Sequence, residues 1–171
     1  MEIDSLTPNT QTKIFSYKKN LHEFINLYDT EKLPNRIILN GPKGIGKSTL
    51  AYHLINYIFS KNEEFKYNVN DLEINTSNRS YNLLKNNTHP NFHLIDLMVD
   101  KKVIEISQIR KMITYSNKSS FNNKEKIILL DNVEDLNLNS INALLKIVEE
   151  PNDNLYFISI AIRSLLRIIL I

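Results

Sequence analysis

Arg36-Ile37-Ile38-Leu39-Asn40, running into Gly41-Pro42-Lys43-Gly44-Ile45-Gly46-Lys47-Ser48-Thr49, is the stretch that decides the fold. The first five residues read as a short buried strand, with Pro34 closing the segment before it. Leu50, Leu54, Ile55 and Ile58 then recur at helical spacing, which predicts a helix beginning near Lys47. Between strand and helix, the pattern G-x-x-x-x-G-K-[ST] matches at every fixed position. A chance match in a chain of this length has odds of roughly one in a few hundred, so the pattern is read as a working motif.

Its physics is that of an anion cradle. Glycines let the backbone turn its N–H groups inward around phosphate oxygens, and the helix that follows points its positive dipole end at the same place. This is the P-loop arrangement, and it implies ATP with Mg²⁺. Gly41, Pro42, Lys43, Gly44, Ile45, Gly46, Lys47, Ser48 and Thr49 are the expected nucleotide-binding residues. Lys47 would meet the β and γ phosphates, and the Ser48 hydroxyl would ligate the metal. The plain alternative is a glycine turn with nothing bound, but a turn alone needs no Lys-Ser pair.

A P-loop site needs an acid at the end of a later strand. Lys126-Ile127-Ile128-Leu129-Leu130 is the strongest strand in the sequence, apolar on both faces and therefore expected in the middle of a parallel sheet. Asp131 follows it and is the expected second Mg²⁺ residue. The next position holds Asn132, where many P-loop ATPases carry a glutamate that orients water. An amide cannot take up a proton at neutral pH, so ATP binding is expected and efficient hydrolysis is not. Glu134 stands two residues further on, too far along an extended exit to substitute. No residue is assigned a catalytic role.

Working outward, Leu21, Phe24, Ile25 and Tyr28 predict a helix over 18–29. Residues 62–90 are polar, rich in asparagine and without a strong period, so they read as an irregular excursion with one short helix near 80–85. A strand is expected over 92–97. A helix carrying Ile106, Ile109, Met112 and Ile113 follows, with Ser107 as its N-cap. Ile141, Leu144, Leu145 and Val148 mark another helix ended by Pro151, and 155–160 reads as a last core strand. Alternating strands and helices imply an α/β fold, a mainly parallel sheet with helices on both faces.

Composition agrees with a folded domain and excludes several classes. Of 171 residues, 42% are hydrophobic and 23% charged, an ordinary globular balance. A formal net charge of +2 is too small to argue nucleic-acid binding by itself. There is no cysteine, hence no disulfide or thiolate zinc site, and no expected helix carries two of the four histidines at metal-ligand spacing. The start lacks a secretory pattern and no apolar run approaches a membrane span, so a cytoplasmic protein with no membrane contact is expected. The lysine pairs read as solvated surface, and Glu149-Glu150 as an exposed helix end.

Several blocks together resemble the bacterial DNA polymerase III delta-prime family of AAA+ clamp-loader proteins. Residues 33–52 are similar to the family's P-loop segment, His89-Pro90-Asn91 to its His-Pro-Asp/Asn signature, and 103–110 to the approach to its next helix. The most specific block, Asn142-Ala143-Leu144-Leu145-Lys146-Ile147-Val148-Glu149-Glu150-Pro151, looks like the family's NALLK-x-x-EEP helix. The resemblance covers about residues 8–160. It implies an AAA+ ATPase core, here expected over 1–161, in a subunit of the ring that opens a sliding clamp and closes it around primed DNA. The gamma/tau and delta subunits are the implied partners. Ser16 stands where the family often has glycine, near the adenine side. The family's Ser-Arg-Cys motif, helical lid and collar are not in the sequence, and 162–171 reads as a truncated or aberrant apolar tail. A stand-alone P-loop ATPase or nucleotide kinase is the competing reading. Asn132 and the 142–151 block speak against it.

Overall fold

The computed structural model describes residues 7–149 and 154–162, without the side chains of 123 and 146–149. The chain falls into two compact units, Met1–Leu33 with Gly44–His89, and Pro34–Lys43 with Pro90–Ile171.

The second unit holds the sheet. Its strands are β1 (Arg36–Asn40), β2 (Phe92–Ile95), β3 (Lys126–Leu130) and β4 (Leu155–Ala161), in the order β1-β4-β3-β2. All pairings are parallel, with Asn40 opposite Ala161, Leu130 opposite Ser159 and Ile95 opposite Leu130. The carboxyl ends of the four strands therefore share one edge. All five residues of β3 are buried, as expected for a central strand with both faces covered. Ile128 and Leu130 pack on one face in a cluster with Ile109 and Met112 of the helix at Ile106–Ser116 and Leu144 of the helix at Leu138–Glu149. The α/β class and the parallel sheet are as the sequence implies.

Strand β2 stops two residues earlier than the sequence suggests. Asp96 accepts the N–H of Leu97 on its own side chain at 2.7 Å, which takes that donor out of the ladder. The Ile106–Ser116 helix also begins differently. Its N-cap is Glu105, not Ser107, and the Glu105 N–H donates to Gln108 Oε1 at 3.0 Å. At its other end, Lys126 reaches in from β3 and donates to the carbonyls of Tyr115, Ser116 (3.2 Å) and Lys118 (2.7 Å). Asn91 joins the 121 turn to the sheet, with its Oδ1 accepting the Phe121 N–H at 2.7 Å and its Nδ2 donating to the Phe121 carbonyl at 3.1 Å.

The first unit contains α1 (Lys18–Asp29), α2 (Lys47–Ser60) and α3 (Arg79–Lys85); the helices of the second unit are α4 (Ile106–Ser116) and α5 (Leu138–Glu149). Leu21 and Ile25 of α1 are buried where α1 packs on α2. Every residue of α2 from 50 to 60 is buried, including His53, Asn56 and Ser60. These three fall at i, i+3 and i+7 and form a polar stripe on an otherwise apolar helix. The 61–90 segment meets part of the stripe, leaving His53 Nε2 and Asn56 Oδ1 without a hydrogen bond among the described residues. His53 Nδ1 lies 2.7 Å from the Tyr67 hydroxyl, Asn56 Nδ2 donates to Asn78 Oδ1 at 3.4 Å, and Ser60 Oγ accepts the Tyr67 N–H at 3.1 Å.

Asn78 also accepts the Tyr81 N–H at 2.7 Å as the N-cap of α3, and donates to the Phe65 carbonyl at 2.9 Å. Glu63 completes the cap, accepting from the Arg79 N–H at 3.0 Å and the Ser80 hydroxyl at 2.6 Å. The 62–90 stretch is irregular apart from one short helix, as its composition suggests, and its side chains form an organised polar layer. Asn78→Ala removes a cap and a buried hydrogen-bond hub together and is expected to cost about 2 kcal/mol. Urea unfolding measures this, and a loss no larger than that of an exposed Asn→Ala change would rule the hub out.

The expected stop at Pro151 and the tail from 163 onward lie outside the described residues. No helix among the described residues is long and apolar enough to cross a membrane.

Candidate functional site

The loop between β1 and α2 begins where the sheet ends. The Gly41 N–H donates to the Ala161 carbonyl at 3.2 Å, continuing the β1–β4 ladder by one rung before the chain leaves the edge. Gly44 and Gly46 then adopt φ of +80° and +94°, left-handed values that favour glycine. Gly46 is the N-cap of α2, which therefore begins at Lys47 as the sequence predicts, with no side chain over its first turn from the cap position. Lys47 is buried, Ser48 and Thr49 are half-buried, and Pro42, Lys43 and Ile45 are exposed.

A cavity of about 300 Å³ opens in the first unit beside this turn, lined by Gly44, Ile45, Gly46 and Thr49 and by Phe15 and Ser16 of the segment before α1. A Cβ on Gly44 would meet nothing within 4 Å, so the loop leaves open space on the side that faces the cavity wall. Phe15 is 81% exposed at the rim, an apolar ring open to solvent. Open space at Gly44, a helix start and an apolar rim fit a nucleotide whose phosphates meet backbone amides and whose base meets carbon.

Asp131 follows β3 at the same sheet edge from which Gly41 leaves β1. Only β4 lies between those strands, which places the two strand ends roughly 10 Å apart. The Asp131 N–H donates to the Ile95 carbonyl at 2.9 Å, and its Oδ1 accepts the Asn132 N–H at 2.9 Å. Ser48 belongs to the first unit and Asp131 to the second. Each offers hard oxygen, the donor chemistry that suits Mg²⁺.

The residues around Asp131 are acidic. Val133–Asp135 forms a 3-10 turn, so the exit from β3 is not extended as the sequence reading assumes. Glu134 is turned onto the end of β4, where its Oε2 accepts the Ile162 N–H at 3.3 Å. Burial, then the charges of Glu134 and Asp96, raise the Asp135 carboxyl above its usual value, while Lys43 pulls it back. Asp96, at the end of β2, is the residue that sequence reasoning missed. Asn132 Nδ2 donates to its Oδ1 at 2.7 Å. Nothing in sequence spacing links positions 96 and 132; only strand order brings them together.

The sequence matches the family described as DNA polymerase III, delta subunit, over residues 17–169. It is 29% identical over 115 residues to the DNA polymerase III subunit delta' of Pseudomonas aeruginosa, covering 67% of this chain and 33% of that protein. It is 29% identical over 151 residues to the delta' subunit of Buchnera aphidicola subsp. Baizongia pistaciae, covering 85% and 42%. It is 30% identical over 152 residues to the DNA polymerase III subunit gamma of Buchnera aphidicola subsp. Schizaphis graminum, covering 88% and 39%. Among solved structures, a DNA polymerase III gamma subunit-related protein from Thermotoga maritima is similar at 17% identity and a TM-score of 0.49, over 85% of this chain and 42% of that one. The chain spans between 33% and 42% of the length of these curated relatives.

Proposed function

This chain belongs to the family described as DNA polymerase III, delta subunit, and from that premise we propose that it is an ATP-holding subunit of the replicative clamp loader. Residues 41–49 bind the nucleotide, Ser48 and Asp131 hold Mg²⁺, and residues 1–161 are the AAA+ core that carries them. The gamma/tau and delta subunits are its direct partners, with the sliding clamp and primed DNA reached through the complex. The observation that carries the reading is the loop itself, with two left-handed glycines, one of them the N-cap of α2, beside a cavity of about 300 Å³.

Bound Mg-ATP would supply a triphosphate for the loop to grip and a charge for a ring neighbour to sense. The chain's own residues bind and orient. Backbone amides of 44–48 face the phosphates, and the Lys47 ammonium neutralises them. Turnover is slow, because position 132 offers an amide that can donate but not accept a proton.

The test is equilibrium binding of Mg-ATP to the protein and to Lys47→Ala. Loss of a charge-assisted contact is expected to weaken binding at least about tenfold. Unchanged affinity would reduce the loop to a turn. Brisk ATP hydrolysis by the isolated chain would favour the stand-alone ATPase or kinase instead.

A further inference from the structure

The cavity beside the glycine loop has a second wall, formed by Pro8, Gln11, Lys13, Ile14, Phe15 and Ser16. Within 8–16 only Lys13 is paired as a strand residue is, in an isolated antiparallel bridge to Glu73. An irregular strip keeps its place when its backbone polar groups are taken up by neighbours. The 73–85 stretch takes them up. The Ile74 N–H donates to the Thr12 carbonyl at 2.8 Å, and the Tyr81 hydroxyl donates to the Thr10 carbonyl at 3.3 Å. Asn9 Nδ2 donates to the Lys85 carbonyl at 3.2 Å, and Lys13 Nζ lies 3.5 Å from Glu73 Oε1.

Glu73 and Ile74 are placed by the turn before them. Asn68 and Glu73 exchange two backbone hydrogen bonds, of 2.9 and 3.0 Å. Inside the turn, Asn68 Oδ1 accepts the N–H of Asn70 at 3.1 Å and of Asp71 at 3.2 Å, the Asx pattern that closes such turns. Asn68 Nδ2 donates to Asp71 Oδ2 at 2.7 Å. The chain is thereby folded back with Leu72 buried at φ 53°, a strained value for leucine that these bonds hold in place. Asn68 itself is exposed and is not among the residues lining the cavity.

We infer that Asn68 is a positioning residue for the nucleotide site, a brace that acts through Ile74 and Thr12 on the 8–16 wall. This rests on the nucleotide reading proposed above. There, residues 41–49 take the phosphates, which leaves the opposite wall for the base and sugar. The brace therefore tunes the grip on the base end of the ligand and leaves the phosphate end alone.

The experiment uses the full chain, titrated with Mg-ATP and separately with inorganic tripolyphosphate and Mg²⁺, together with amide hydrogen exchange in the absence of ligand. Asn68→Ala is expected to weaken Mg-ATP about fivefold and to leave tripolyphosphate within about twofold of the parent. Exchange at the Ile74 amide should quicken at least about fivefold, while the Leu50 amide, which closes the first turn of α2 onto Gly46, exchanges as in the parent. Asn68→Asp combined with Asp71→Asn keeps the acceptor for the turn amides and reverses the side-chain pair, so it should recover the affinity for Mg-ATP. Unchanged Mg-ATP affinity in Asn68→Ala, equal losses for both ligands, or no recovery in the double variant would overturn the inference. Lys47→Ala separates the two readings, because it should weaken both ligands. If it weakens neither, the nucleotide reading falls, and faster exchange confined to Ile74 in Asn68→Ala still supports the brace.

Discussion

Lowering the pH from 7.5 to 4.5 is expected to remove about 2.5 kcal/mol of folding stability through His53 alone. His53 is fully buried on the polar stripe of α2, and burial holds its pKa down at about 4 from an ordinary 6.5, with a backbone hydrogen bond at Gln11 opposing. The sign follows from linkage. The unfolded chain takes up the proton near pH 6.5 while the folded chain refuses it until about 4, so the stabilisation is complete above 6.5 and drains away below it. Protonation would also make both ring nitrogens donors. The Tyr67 hydroxyl at 2.7 Å would then have to accept, and it cannot ionise to help, because burial and the Glu73 charge raise its pKa well above the usual tyrosine range.

His93 adds to the effect with the same sign, its pKa lowered by burial and by the charges of Lys111 and Lys126. Carboxylates of ordinary pKa titrate mostly below this window, so the region from about 6.5 to 5 belongs to histidine. The measurement is the urea midpoint across that range for the protein and for His53→Gln, which cannot titrate. The variant's curve should be much flatter, even if it lies lower throughout. Parallel curves would mean that His53 reaches solvent and is not the group responsible.

Lys126→Met should cost about 3 kcal/mol, although it exchanges side chains of similar length at a site only 6% exposed. The ammonium is a buried charge with no ion pair among the described residues. It is held by three carbonyls at the end of α4, where the helix dipole is negative, and by the Tyr115 ring, whose centroid lies 4.3 Å away. Burial, and then Lys118, lower its pKa, so the charged form is already under pressure and depends on those acceptors. Methionine fills the space and satisfies none of them. Hydrogen exchange at the Asn117 and Lys118 amides, which close the last turn of α4 onto Ile113 and Tyr115, should accelerate in step with the lost stability. A Lys126→Met protein within 1 kcal/mol of the parent, with exchange unchanged, would mean that solvent already serves those carbonyls.

What could be read from the sequence divides along physical lines. Helix α1 runs from 18 to 29 as its apolar spacing predicts, and α2 starts at Lys47 because Gly46 can take a left-handed φ. Strand β3 was legible because a sheet buried on both faces needs an unbroken apolar run. The N-cap of α4 was misread because serine is the commoner cap, although Glu105 and Gln108 stand at capping-box spacing. In the candidate site, the glycines and Lys47 could be found from a local pattern, since a phosphate cradle is built from consecutive residues. Asp96 could not, because its link to Asn132 depends on which strands are neighbours. The hydrogen bonding of the 62–90 segment was out of reach for a related reason, although its one short helix, Arg79–Lys85, lies close to where the sequence places it. Apolar periodicity counts only carbon, and His53, Asn56 and Ser60 look like a solvent face until their partners are known.

Those partners give the asparagine-rich stretch a different standing from that of an ordinary connector. Its residues are insulation for the amides and imidazole of a helix that has no exposed side left between 50 and 60. Trimming it as one would shorten a linker strips the dressing from an interior surface, and replacing its polar residues with leucine or valine would add carbon where the helix is asking for oxygen and nitrogen. A segment that scores as unstructured by composition carries, here, the polar partners of a buried helix.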